Sequence, residues 1–129
     1  MLKALETDHR TREVVGAAID VHRNLGPGLL ESAYQACMEV ELRLRQLSFR
    51  AEVAVPLEYK GHLIDAAAYR PDLIIDERIV VELKAVTTVL PIHSAQLLTY
   101  MRLLGCRVGL LINFNVPVFR QGIRRLLND

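Results

Sequence analysis

The chain has 129 residues, of which 51% are hydrophobic and 24% charged. That length fits one domain, spanning residues 1–129, with a sizeable core, and that balance excludes a disordered or strongly polyionic chain. Sixteen basic residues stand against fifteen acidic ones, so a net charge of +1 excludes a general attraction to nucleic acid and leaves only local basic patches for that purpose.

Val14, Val15, Ala18, Ile19 and His22 recur at helical spacing and predict a first helix. Gly26-Pro27-Gly28 stops it. A second helix begins near Leu30, with Ala33, Cys37, Val40, Leu44 and Leu47 as its apolar stripe. The middle reads as strands. Val53, Val55, Leu57 and Tyr59 alternate with other residues, Lys60-Gly61 makes a tight turn, and His62 to Tyr69 returns. Asp72 to Ile75 and Ile79 to Val86 form a second pair of short runs, joined by Asp76-Glu77-Arg78. A helix follows Pro91, with Ala95, Leu98, Met101 and Leu104 expected inward, and Gly105 ends it. Val108 to Ile112 is fully apolar, as a central strand is. In the tail, Phe119, Ile123, Leu126 and Leu127 fit a helix, with Gly122 counting against it. The order of elements predicts an α/β (α+β) fold, a mixed sheet flanked by helices.

Nothing from Met1 to Arg12 reads as a signal peptide, and no apolar run reaches membrane-spanning length. A soluble, cytoplasmic protein is expected. Cys37 and Cys106 sit among apolar residues and are too few for a four-cysteine metal site.

The most informative segment is Ile79-Val80-Val81-Glu82-Leu83-Lys84-Ala85-Val86. Strand side chains alternate between faces, so Glu82 and Lys84 share one face. Charges in an otherwise apolar strand are costly unless a polar cleft or a bound metal compensates. A short hairpin puts Asp72 beside Glu82, and a divalent cation relieves the repulsion of two adjacent carboxylates. Mg²⁺ takes hard oxygen ligands and keeps several waters, so two carboxylates, with the backbone carbonyl of Leu83, suffice. Lys84 then orients the attacking water or stabilises phosphate charge. The plainer reading is that Glu82 and Lys84 line the wet face of an antiparallel sheet.

Pro71-Asp72 followed by Glu82-Leu83-Lys84 matches the PD-(D/E)XK signature, which is short and has chance matches. Gly28-Leu29-Leu30-Glu31-Ser32-Ala33-Tyr34 matches a GxxExxY motif, and Gln96-Leu97-Leu98-Thr99-Tyr100 matches a QxxxY motif. With Leu25 to Gly28, Tyr59-Lys60-Gly61, Val81 to Ala85 and Leu110 to Phe114, nearly the whole chain resembles the GxxExxY family of the PD-(D/E)XK nuclease superfamily. The resemblance implies a restriction-endonuclease-like core with a four- to five-stranded mixed sheet. It implies Asp72 and Glu82 as ligands of Mg²⁺ or Mn²⁺, Lys84 as the catalytic lysine, and Glu31 as an extra acidic residue at the metal. It implies Gln96 and Tyr100 as substrate-binding or site-ordering residues.

Glu31 and Tyr34 lie three apart on one helix face, and Glu31 suits the first helical turn. They can equally be a favourable N-terminal residue and a core tyrosine. His93, Gln96 and Tyr100 form one polar stripe that could face the cleft or solvent, with His93 its least secure member. His9, His22 and His62 form no metal-ligand spacing. Arg43, Arg45 and Arg50, like Arg120, Arg124 and Arg125, can track a phosphate backbone or lie on a solvated face, and the second is favoured.

The leading expectation is a metal-dependent nuclease acting on nucleic acid, DNA in the first place, through a metal-activated water. The alternative is a nucleic-acid-binding or partner-dependent module of the same fold, and a third reading makes the constellation a coincidence in a structural protein. A homodimer or a protein partner is left open, as are strand preference, end-directed or internal cutting, and sequence specificity.

Overall fold

The structure, a computed structural model, describes residues 8–128. The polar N-terminal stretch up to Thr7 lies outside the described residues. Helix α1 spans His9–Leu25. The Asp8 carboxylate caps it by accepting from the Arg10 and Thr11 N–H groups. Gly26, at φ 67°, ends it in a conformation that glycine reaches without strain. Helix α2 spans Glu31–Leu44 and α3 spans Pro91–Leu104. Pro91 opens α3 and a left-handed Gly105 closes it, as the sequence predicts.

Seven strands follow in chain order: β1 Phe49–Ala51, β2 Val55–Tyr59, β3 His62–Tyr69, β4 Leu73–Ile75, β5 Ile79–Lys84, β6 Val108–Asn113 and β7 Ile123–Leu127. Five form a sheet in the order β1-β4-β5-β6-β7. Only β5 and β6 run parallel, as the α3 crossover between them requires. Strands β2 and β3 make a separate ribbon with an interrupted register beside Pro56, which has no N–H to give a ladder.

The sheet is covered on both faces. Val14, Ala17, Ala18 and Val21 of α1 and Tyr34, Met38 and Leu42 of α2 pack on Ile79, Val81 and Leu83 of β5. On the opposite face, Leu97, Tyr100 and Met101 of α3 pack on Val80 and Leu111. Strand alternation therefore assigns each β5 residue to one layer, and Glu82 and Lys84 continue the row of Val80 toward α3. This is a mixed α/β architecture of restriction-endonuclease-like form.

Three expectations are corrected. In α2 the buried face is Tyr34, Met38 and Leu42, while Val40 and Leu44 of the expected stripe are exposed. The tail is not a helix: a 3-10 turn at Phe119–Gln121 leads into β7. Ile123 and Leu127 lie four apart, a spacing that suits a helix turn and one face of a strand alike, and pairing to β6 decides between them. In α3 the inward face is Leu97, Tyr100 and Met101, with Leu98 and Leu104 partly buried beside them, while Ala95 is exposed. Leucines occur all round this helix, so spacing alone did not fix its phase.

Gly122 is fixed by close approach. Its carbonyl accepts the Asn113 N–H, and a β-carbon at Gly122 would overlap the Asn113 carbonyl oxygen. Backbone atoms cannot yield as a flexible side chain does. Gly122→Ala is therefore expected to destabilise the fold by about 2 kcal/mol, read as a lower midpoint in urea unfolding; an unchanged midpoint contradicts this packing.

Candidate active site

The site lies where the β4–β5 ladder stops. Residue pairing ends at Leu73 and Val81, and Pro71, just upstream, has no N–H to extend it. Side chains then replace the ladder. The Asp72 N–H donates to Glu82 Oε1 at 2.8 Å, and the Leu83 N–H donates to Asp72 Oδ2 at 2.7 Å. Each carboxylate is thus tied to the other strand's backbone. The Asp72 carbonyl accepts from the Glu52 N–H at 3.0 Å and from Gln35 Nε2 at 3.3 Å. Asp72 is therefore held from β5, from α2 and from the residue after β1.

Burial makes this pair electrostatically costly. Glu82 is 8% exposed. Loss of water, and then the charge of Asp72, push its pKa up to about 8, against the opposing effects of the Asp72 N–H and Lys84. Burial also raises Asp72, with the charges of Glu31 and Glu52 adding to it, while the Leu83 N–H and Lys84 oppose. Lys84 is half-buried, and its charge acts on both groups.

The donor set fits a hard divalent cation. The two carboxylates supply oxygen, and burial, followed by the charge of neighbouring carboxylates, raises their proton affinity, a cost that a cation would offset. The N–H and C=O of one strand residue point to the same side, so the Leu83 carbonyl is turned toward Asp72 along with its N–H. Glu31 is exposed and acts on the pair through its charge. Among the described residues, no three His, Cys, Asp or Glu side chains are gathered as a ready-made metal cluster. Asp72, Glu82 and the Leu83 carbonyl are the residues that would hold such a cation, with Glu31 at the margin.

The remaining expected residues divide. Of the two directions open to the polar stripe, Tyr100 takes the inner one. It is 8% exposed, its ring meets Tyr69 edge-on, and burial with the charges of Glu82 and Asp72 raises its hydroxyl pKa. Tyr100 thus lies within the field of the carboxylates, on the core side of α3. Gln96, one turn earlier, is exposed. His93 is used by its own helix: its Nδ1 accepts the Leu90 N–H at 3.1 Å. Tyr34 is in the core on the opposite face of the sheet, stacked on Phe114. Its hydroxyl donates to the Gly26 carbonyl at 2.6 Å and accepts the Leu29 N–H, which fixes the loop leading to Glu31. Arg43, Arg45 and Arg50 are engaged by carboxylates, Arg45 by Glu13, Asp20 and Glu41 together. Arg120, Arg124 and Arg125 are exposed, and Arg124 reaches Ser94 Oγ at 3.4 Å.

Gln35, Glu52 and Asn113 were not singled out from the sequence. Gln35 lies four residues after Glu31 and so on the same helix face, which is the one local signal it carries. Glu52 bonds through its backbone, which side-chain identity does not reveal.

A mixed sheet with an acidic pair and a lysine where antiparallel pairing gives way to a parallel pair defines the restriction-endonuclease-like class. A family model for the PD-(D/E)XK nuclease superfamily matches residues 8–126, and the chain belongs to that superfamily. Its members are characteristically nucleases that use divalent metals. No curated protein and no solved structure gives a significant match to the chain. Among the described residues, no helix is long and apolar enough to cross a membrane.

The raised Glu82 pKa has two consequences. Metal binding requires the carboxylate, so Mn²⁺ affinity is expected to fall about tenfold per pH unit below about pH 8, with a proton released on binding. Calorimetry in buffers of different ionisation heat measures both; pH-independent affinity contradicts the assignment. In metal-free protein, folded Glu82 holds its proton where the unfolded carboxyl has lost it. Stability therefore falls as pH rises from about 4.5 to about 8, and urea unfolding without metal checks the sign.

Proposed function

We propose that this chain is a Mg²⁺- or Mn²⁺-dependent nuclease that hydrolyses phosphodiester bonds, with DNA as its substrate, and that it falls in the GxxExxY family of its superfamily. The single observation that carries this reading is the buried Asp72–Glu82 pair beside Lys84, at the strand end where the motif expects it. Asp72, Glu82 and the Leu83 carbonyl would hold the cation, with Glu31 contributing at the margin. When bound, the cation supplies Lewis acidity to the phosphodiester and lowers the pKa of water.

The chain's own residues supply orientation and charge. Lys84 presents a compact ammonium that donates hydrogen bonds to a phosphate oxygen or to the attacking water. Tyr100, its proton held more firmly by burial and the neighbouring carboxylates, donates from its hydroxyl to substrate at neutral pH. Gln96 extends that edge toward solvent. Water forms the new P–O bond, the bond to the leaving oxygen breaks, and the leaving oxygen takes up a proton.

A second reading, a binding or partner-dependent module, draws on one observation. Glu31 stands exposed rather than closed onto the pair, so a substrate or partner would complete the site.

Asp72→Asn and Lys84→Ala are expected to lower cleavage of labelled DNA by at least about a hundredfold, with folding retained. Glu82→Gln is expected to lose cleavage but raise the metal-free melting temperature. Glutamine needs no proton uptake on folding, and its carbonyl oxygen can still accept the Asp72 N–H. Cleavage at the parent rate in these variants, with contaminating nuclease excluded, would refute the site.

A further inference from the structure

The chain beyond Lys84 leaves the sheet without a strand to pair with. The last backbone bond between β5 and β6 in this direction runs from the Phe114 N–H to the Lys84 carbonyl, at 2.9 Å. Ala85 and Val86 then run toward the exposed bend at Thr87 and Thr88, before α3 begins. The side chain of Asn113 takes over where the ladder ends. Its Oδ1 accepts the Val86 N–H at 3.1 Å, and its Nδ2 donates to the Val86 carbonyl at 2.9 Å. A primary amide thus imitates one rung of a β-ladder, satisfying both backbone groups of a single residue.

Asn113 is itself rigidly held. It stands level with Lys84 in the parallel register and is 3% exposed. Its N–H donates to the Gly122 carbonyl at 2.7 Å, and its Oδ1 also accepts the Asn115 N–H at 3.2 Å. A polar side chain this buried persists where its bonds are specific.

We infer that Asn113 is a positioning residue for Lys84, clamping the chain two residues beyond the lysine and so fixing where its ammonium reaches. The inference rests on the proposed part of Lys84 in cleavage. On the near side of Lys84, Asp72 grips the Leu83 N–H; on the far side, Asn113 grips Val86. The lysine is held between two clamps. Loss of the far clamp frees the segment leading to α3 and lets the ammonium move relative to the carboxylates. Aspartate cannot substitute, since it has no donor for the Val86 carbonyl.

The test uses the full chain, a fluorescent linear DNA duplex with Mn²⁺, and ¹³C-labelled lysine observed by NMR. The chain has three lysines, Lys3, Lys60 and Lys84, so loss of one signal in Lys84→Arg assigns the Lys84 side chain. Asn113→Ala is expected to lower kcat by about tenfold to a hundredfold, to leave KM within about twofold, and to shift or broaden the Lys84 signal. Val14→Ala, a core truncation in α1, serves as the control: it lowers the melting temperature but leaves kcat and the Lys84 signal as in the parent. Should Asn113→Ala not fold, Asn113→Ser, which keeps one hydrogen-bonding group, carries the same measurements. A folded variant with the parent's kcat and Lys84 signal would overturn the inference, as would an equal loss in Val14→Ala. If the parent cuts no DNA, the nuclease reading fails and the Lys84 signal alone decides: moved in the Asn113 variant supports positioning, unmoved overturns it.

Discussion

Two carboxylates are held together in a place where neither is comfortable. Asp72 and Glu82 each accept a backbone N–H from the other's strand, and these bonds fix them side by side at the end of a buried ladder. Two hydrogen bonds do not cancel the cost of burial and mutual repulsion, and Glu82 answers by holding its proton up to about 8. A cation would offset that cost, and a pair kept at such expense is what a functional site retains against the interest of stability.

The rest of the fold serves that arrangement. Where Pro71 ends the antiparallel ladder, the Asp72 carboxylate takes the Leu83 N–H. The α3 crossover makes β6 parallel to β5, which brings Lys84 level with Asn113. Strand alternation sends Ile79, Val81 and Leu83 into one core and turns Glu82 and Lys84 toward the α3 face, which Tyr100 shares. At the other end of the hairpin, Asp76 and Glu77 occupy left-handed conformations, and Arg10 and Arg50 pair with them. The turn that sets the β4–β5 register, and with it the pairing of Asp72 and Glu82, is thereby neutralised.

Much of this was legible in the sequence because the signals were local. Glycine and proline marked the ends of α1 and α3, and Lys60-Gly61 marked its hairpin. The charged pair in an apolar strand pointed to Glu82 and Lys84, and the short turn from Asp72 carried the pairing. What stayed hidden depended on tertiary contacts. Strand β1, three residues long, has too few positions to show alternation. The tail spacing fitted helix and strand alike, and the inward phase of α3 was masked by leucines on every side. Tyr100 falls on a polar stripe in sequence, yet its ring belongs to the core, where the charges of Glu82 and Asp72 act on its hydroxyl. Asn113 reads in sequence as the polar end of an apolar strand; its bonds to Val86 appear only once β5 and β6 lie side by side.

The central claim is that the Asp72–Glu82 pair is a cation site. The most direct measurement is anomalous diffraction from crystals soaked in Mn²⁺ at a pH above the Glu82 value of about 8. The account expects one strong peak coordinated by both carboxylates and the Leu83 carbonyl. No peak there, with the Asp72 and Glu82 oxygens still bonded to the Leu83 and Asp72 amides, would contradict it.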